Sequence, residues 1–155
     1  MTPVLTPIPP SSSLAKAVEL ARGLVTTAVA THGEGDVVSA NCRNNLALAL
    51  KRTAVHPATP EGDKQALLEE AVTVYRQALA AKSAKLGPDH PDTIVTMHNL
   101  AEALLSAGQE AAATEVQEGI LELMGHTEGE SGEQGRGASA RQQTVRDMLR
   151  RPEAQ

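Results

Sequence analysis

The side chains of this chain that are suited to metal binding or nucleophilic catalysis are five histidines and one cysteine. Metal sites place such residues at short recurrent spacings, and nucleophilic sites pair a thiol or hydroxyl with a base. None of these spacings occurs here. We therefore expect no catalytic residue, no metal, no cofactor and no small-molecule substrate. The residues are His32, His56, His90, His98, His126 and Cys42.

Phosphate and thiol chemistry are also poorly supported. The glycines of residues 125–137 follow a predicted helix rather than a strand, so they do not form a phosphate-binding loop. Cys42 is the only cysteine, which excludes an internal disulfide, and its apolar helical surroundings predict a small buried side chain. An enzyme with an unrecognised site is kept only as a remote alternative.

The composition favours one small helical domain. Charged residues make up 21% of the chain, the formal net charge is −5, and no basic stripe dominates, so nucleic acid is not an expected partner. No apolar run is long enough for a membrane span. Aromatic residues make up 1%, with Tyr75 alone, so the core must be aliphatic. We expect an intracellular protein in the cytoplasm, with an organellar matrix as the alternative.

Apolar residues recur at helical spacing through most of the chain. The predicted stripes include Ala17 and Leu24 in the first helix, Val38 in the second and Leu121 in the fifth. Turn-forming residues suggest an inserted loop at residues 53–63. The pattern predicts four segments: a disordered leader at 1–13, a helical domain at 14–124, a flexible linker at 125–137 and a tail at 138–155. Ser13 is expected to cap the first helix. The five helices are expected near 14–31, 36–53, 63–86, 91–106 and 109–124.

The chain repeats itself at an offset of 54 residues. Without gaps, residues 17–50 align with residues 71–104. Gly33 then falls on Gly87, and the triplet beginning at Asn45 falls on the triplet beginning at Asn99. An internal repeat of this length is typical of stacked helical arrays.

The second copy carries a long ordered signature: Tyr75-Arg-Gln-Ala-Leu79, then Lys85-Leu-Gly-Pro-Asp-His-Pro-Asp-Thr93, then Asn99-Leu-Ala101 and Gly108. This signature resembles the tetratricopeptide repeat of the kinesin-light-chain type. Repeats of that type recur every ~42 residues, so the surplus of about 12 residues is expected between Leu50 and Ala71. The resemblance covers residues 17–124 and is strongest at 71–108.

The resemblance implies an all-α fold, with antiparallel helix pairs stacked as a short α-solenoid of about five helices. The tail residues themselves, rather than the resemblance, suggest a short C-terminal helix that would be marginal alone. The resemblance also implies a concave peptide-binding groove in which the amides of Asn45 and Asn99 hold the backbone of an extended ligand, against the alternative that these asparagines are solvated or make local structural bonds. Lys51 and Arg52 would add attraction for an acidic segment, against the alternative of a solvated helix end. The implied groove residues are Asn41, Asn44, Asn45, Lys51, Arg52, Val95, His98, Asn99, Glu102 and Ser106.

The expected function is a non-catalytic adaptor or scaffold that binds a peptide or protein surface. The alternative is a structural subunit built permanently into a larger complex, because a short array with a thin core is poorly suited to isolation. Three alternatives stay open for the tail. Its apolar residues Val145, Met148 and Leu149 cap the last helix, occupy the groove as a self-ligand, or stay disordered. The acid-poor leader also has weak transit-segment character.

Overall fold

The computed structural model describes residues 10–127 and 136–149, and these residues contain α-helices and no strand. The all-α prediction is confirmed. Each helix packs against the next one along the chain, and α2 also contacts α4. No helix in the described part is both long and apolar enough to cross a membrane. The helices are α1 (Pro10–His32), α2 (Val37–Val55), α3 (Glu61–Leu86), α4 (Pro91–Ser106), α5 (Glu110–Thr127) and α6 (Arg136–Leu149).

The α1–α2 and α3–α4 connections have the same structure, 54 residues apart. Gly33 and Gly87 end the first helix of each pair with φ angles of 93° and 97°, a region that favours glycine. The Ser39 hydroxyl donates to the Gly33 carbonyl oxygen at 2.7 Å, and the Thr93 hydroxyl donates to the Gly87 carbonyl oxygen at 2.8 Å. The internal repeat found in the sequence is therefore also a structural repeat.

Equivalent side chains also cap the second helix of each pair. Asp36 Oδ1 accepts a hydrogen bond from the Val38 amide at 2.8 Å, and His90 Nδ1 accepts one from the Asp92 amide at 3.1 Å. Capping satisfies an amide that has no partner within the first helical turn. His90 therefore has a structural role at the start of α4.

The predicted loop at residues 53–63 is wrong in its bounds. Helix α2 continues to Val55 and α3 begins at Glu61, so the connection is limited to residues 56–60. The extra residues lengthen the helices because they have apolar contacts to make. Ala54 is buried in a small cluster with Leu68 and Ala107.

Three other boundaries also differ from the prediction. Helix α1 begins at Pro10 rather than after a cap at Ser13, since proline suits the first helical position. Helix α5 runs to Thr127 and α6 begins at Arg136, so both helices extend into the predicted linker at 125–137. The remainder of the predicted leader, linker and tail, at 1–9, 128–135 and 150–155, lies outside the described residues.

The core consists of one main cluster, aliphatic apart from Tyr75, and two smaller clusters. Ala101 of α4 and Ala113 of α5 both belong to the main cluster. Small side chains let helix backbones approach closely. The large side chains that are fully buried include Tyr75, Leu50, Leu79, Met97, Leu100 and Leu104.

Arg43 stands where the repeat pattern expects a large apolar side chain, and Met97 fills the equivalent position in α4. Arg43 is nevertheless buried, with 7% of its surface exposed. One guanidinium nitrogen donates to the Glu34 carbonyl oxygen at 2.7 Å, and the other pairs with the Glu34 carboxylate. A buried charge is tolerated when it is paired and hydrogen-bonded in this way.

Four side chains that the periodicity placed in the core are exposed instead: Ala17, Leu24, Val38 and Leu121. Ala17 and Leu24 lie on a face of α1 against which no described helix packs. Val38 is in the first turn of α2, and Leu121 lies away from the buried residues of α5. Helical spacing identifies one face of a helix, but it does not show whether another helix covers that face.

Helix α6 contacts both α5 and α3. Its residues Val145 and Met148 belong to the main core cluster, and Leu149 packs against it. Gly119 of α5 permits the contact, because a Cβ atom there would overlap Met148 Cε and lie 3.1 Å from Thr144 Cγ2. The apolar stripe of the tail thus covers the last helix of the array.

Candidate functional site

All ten predicted groove residues lie on α2 and α4, two helices that contact each other. We call this surface the α2–α4 face. Seven of its residues are exposed and three are half-buried. The half-buried ones are Asn44, Lys51 and Asn99; the exposed ones are Asn41, Asn45, Arg52, Val95, His98, Glu102 and Ser106.

Two of the asparagines are bonded to each other across the face. Asn99 Nδ2 donates to Asn44 Oδ1 at 3.3 Å. Asn45 and Asn99 are equivalent in the sequence repeat, yet Asn45 is exposed and Asn99 is half-buried. The difference arises because α4 has α2 beside it, whereas no described helix occupies the corresponding place beside α2. Asn45 makes no side-chain hydrogen bond to another described residue.

A salt bridge also crosses the face. Lys51 Nζ of α2 pairs with Glu102 Oε2 of α4, and the lysine side chain is only 15% exposed. The hydrogen bond from Lys51, helped by its charge, holds the pKa of Glu102 below its usual range. The Ser106 hydroxyl donates to the Glu102 carbonyl oxygen at 3.0 Å. Lys51 is therefore already compensated, and Arg52 is the cation of the face that pairs with no described carboxylate.

Tyr75 lies in the core and is electrostatically coupled to this face. The side chain is fully buried, and its hydroxyl has no hydrogen-bond partner among the described residues. Burial, together with the nearby charge of Glu102, raises the pKa of Tyr75 to about 12, and Arg52 opposes the shift. Sequence reasoning assigned Tyr75 to the core alone. Its coupling to Glu102 depends on how α3 and α4 pack, which no local pattern reports.

The described part of the chain shows no group of three or more histidine, cysteine or carboxylate side chains arranged to hold a metal ion. Cys42 is half-buried rather than fully enclosed. His56 Nδ1 accepts a hydrogen bond from the Ala58 amide at 3.1 Å, a turn-forming role. A cleft of about 220 Å³ between α5 and α6 is acidic, and its lining includes Glu115, Glu118, Glu122 and Asp147.

Residues 64–124 match the family model of the tetratricopeptide repeat. The match begins in α3, includes all of α4 and ends in α5, and it spans less than half of the chain. We found no matching curated protein and no matching solved structure. The kinesin-light-chain subtype stays a prediction. Tetratricopeptide repeats generally mediate protein–protein interaction or scaffolding. The matched segment, residues 64–124, is therefore similar to a tetratricopeptide repeat, and the repeated helix pairs agree with that similarity.

Proposed function

We propose that the protein is a non-catalytic scaffold that binds an extended peptide, or an extended segment of a protein surface, on the α2–α4 face. One observation carries the proposal. Two side-chain contacts join α2 to α4. Lys51 pairs with Glu102, which lies 51 positions later in the chain, and Asn44 accepts a hydrogen bond from Asn99, which lies 55 positions later. These two contacts support the proposal because they join predicted groove residues of α2 to those of α4, on a type of repeat that generally mediates protein–protein interaction.

The exposed amides suit a peptide backbone. A side-chain amide offers both a donor and an acceptor, as does each peptide unit of an extended ligand. Asn41 and Asn45 lie one helical turn apart on α2, and both are exposed. On α4, Asn99 retains a second amide hydrogen and its carbonyl oxygen beyond its bond to Asn44. Val95, which is 54% exposed, adds an apolar contact beside these polar groups.

The charges of the face favour an acidic group at one end of the ligand. Arg52 is exposed and offers a guanidinium that can hold a carboxylate through two hydrogen bonds. A ligand carboxylate at Lys51 would have to compete with Glu102, which already accepts that ammonium group. We therefore assign the main attraction for an acidic residue to Arg52 and a lesser one to Lys51.

The test is affinity selection of random extended peptides on the purified chain, followed by titration of the selected peptides against variants. Asn45→Ala with Asn99→Ala should weaken binding about 5- to 150-fold, since two hydrogen-bonded amides contribute about 1–3 kcal/mol together. Gln117→Ala on α5 is the matched control, because it removes an exposed amide outside the face. Equal affinity of the double variant and the control would contradict the proposal.

The alternative function, a subunit built into a larger complex, has one structural observation in its favour. Leu20 and Leu24 of α1 are 71% and 60% exposed. Such a subunit would yield no peptide ligand in the selection and would depend on a partner for stability. A purified chain that unfolds cooperatively and is stable without any partner would argue against it.

A further inference from the structure

The hydroxyl of Tyr75 is a buried polar group without a partner. The side chain is 0% exposed, and its oxygen makes no hydrogen bond to any described residue. Burying a hydroxyl in this way costs free energy, so native proteins nearly always give such a group a partner. The core does not require the hydroxyl, since the residue equivalent to Tyr75 in the sequence repeat is Ala21, which is buried in the same main cluster. The hydroxyl therefore needs an explanation outside the core.

The hydroxyl lies beneath the α2–α4 face, at the end where that face carries its charges. The charges that act on it are those of Glu102 on α4 and Arg52 on α2. Glu102 is paired with Lys51, whereas Arg52 is exposed and makes no ion pair or hydrogen bond with a described residue. Two cations and one carboxylate leave an excess of positive charge at this end of the face.

Two hydrogen-bond donors without acceptors thus converge on one place, the guanidinium of Arg52 and the phenol of Tyr75. A guanidinium can only donate, and a protonated phenol donates through its single hydrogen. An acceptor for both is favoured if it is an anion, because hydrogen bonds from a cation to an anion are the strong ones. A carboxylate offers two oxygens, one for each donor. Glu102 does not supply them, since it accepts from Lys51 and has no contact with the Tyr75 hydroxyl.

We propose that a carboxylate of the bound peptide accepts hydrogen bonds from both Tyr75 and Arg52, which makes Tyr75 a specificity-determining residue of the α2–α4 face. The inference rests on the proposed peptide-binding function and adds a contact from α3, a helix that carries none of the predicted groove residues. The hydroxyl is covered in the free protein. The side chains of the face that must turn aside are exposed ones, because Arg52 is unpaired and the Glu102 side chain is 65% exposed.

The first experiment is a thermodynamic cycle with peptides obtained by affinity selection on the wild-type chain. Each peptide is titrated by calorimetry in its selected form and with each acidic residue in turn replaced by its amide. Tyr75→Phe removes only the hydroxyl, so it should weaken binding of the acidic form about tenfold or more, as expected for a hydrogen bond to a charged group. It should change binding of the amide form by less than about twofold. Thr73→Val, which removes an exposed hydroxyl from the same helix, is the matched control.

The second experiment separates this role from a structural one. Because Tyr75→Phe deletes a buried group that has no partner, it should leave the melting temperature of the full chain unchanged or raise it. The chain has no phenylalanine, no tryptophan and no other tyrosine, so near-ultraviolet absorbance reports this side chain alone. A selected acidic peptide without aromatic residues should shift the tyrosine band to longer wavelength, since the phenol then donates to an anion. The amide form of the same peptide should not.

A Tyr75→Phe variant that melts at a lower temperature would show that the hydroxyl already has a partner in the free protein, which overturns the inference. Equal affinity loss for the acidic and amide peptides, or no loss for either, also overturns it. Peptides whose binding depends on Asn45 and Asn99 but not on Tyr75 would overturn this inference and leave the proposed function intact. A selection that yields no peptide at all would overturn both.

Discussion

Asn99 donates a hydrogen bond to Asn44 at 3.3 Å, which joins the two helices that carry the candidate binding face. Asn45 and Asn99 are equivalent in the sequence repeat, but their structural roles differ. Asn99 contributes to the fold through this hydrogen bond, whereas Asn45 is exposed. Asn99→Ala is expected to lower the free energy of unfolding by about 0.5–1.5 kcal/mol.

Asn45→Ala is the matched control, expected to change the free energy of unfolding by less than about 0.5 kcal/mol. Urea denaturation followed by circular dichroism measures both. If the two variants lose the same stability, the structural difference between the two asparagines is contradicted.

The Lys51–Glu102 ion pair predicts a change that carboxyl titration can detect. The pKa of Glu102 lies below its ordinary value of 4.5 because Lys51 donates a hydrogen bond to it. Lys51→Met should raise that pKa toward 4.5. A carboxyl group whose pKa is lower in the folded state than in the unfolded state stabilises the fold at pH values above its unfolded-state pKa. This contribution is lost as the pH falls through the folded-state pKa.

Carbon-detected NMR of the glutamate side chains follows the titration directly. Lys64→Met is a suitable control, because Lys64 pairs with Glu61 on α3 and should leave Glu102 unchanged. A Glu102 titration that is identical with and without Lys51 would show that the ion pair does not persist in solution.

Tyr75 offers an unusually clean measurement, since it is the only tyrosine and the chain has no tryptophan. Phenolate absorbance therefore reports this one side chain. Burial should raise its pKa from 10.0 to about 12, and Glu102→Gln should lower it again by removing a nearby negative charge. Because the pKa of Tyr75 is higher in the folded state than in the unfolded state, the contribution of this side chain to stability is complete below pH 10. It is lost as the pH rises toward 12. Titration of the folded protein at an ordinary tyrosine pKa would contradict the burial.

Gly119 tests whether α6 covers the end of the array in solution. Gly119→Leu inserts a side chain where Met148 and Thr144 already lie, so it should displace α6 and cost about 1–3 kcal/mol. Gly125→Leu on the same helix is the control, because nothing lies within 4 Å of a Cβ atom there. Hydrogen exchange should increase in α6 and in the part of α5 beneath it for the first variant only. Unchanged exchange in both variants would rule out this packing.

The sequence alone predicts much of the fold, and the reason is visible in its turns. Gly33 and Gly87 repeat at the same offset as Asp36 and His90, so the amino-acid sequence itself contains the helix–turn–helix unit twice. The same repeat places the candidate face on two equivalent helices. Turn formers dominate the excess of about 12 residues and therefore predict a loop. The helices extend into this segment instead, since Ala54 finds apolar partners in the fold.

The pairings within the site were beyond sequence reasoning. Asn44–Asn99 and Lys51–Glu102 join residues that are 55 and 51 positions apart, and they depend on the axial register between α2 and α4. The exposure of Leu24 was missed for a related reason. Periodicity shows that a face is apolar, but only the arrangement of neighbouring helices shows that nothing in the described chain covers it.

The most direct test of the central claim is an NMR titration of the labelled chain with a peptide obtained by affinity selection. We predict that the side-chain amide signals of Asn45 and Asn99 shift together with backbone signals of α2 and α4. The chemical shift of the Gln117 side-chain amide on α5 should not change. Shifts confined to α1, or to the acidic cleft between α5 and α6, would contradict the assignment of binding to the α2–α4 face.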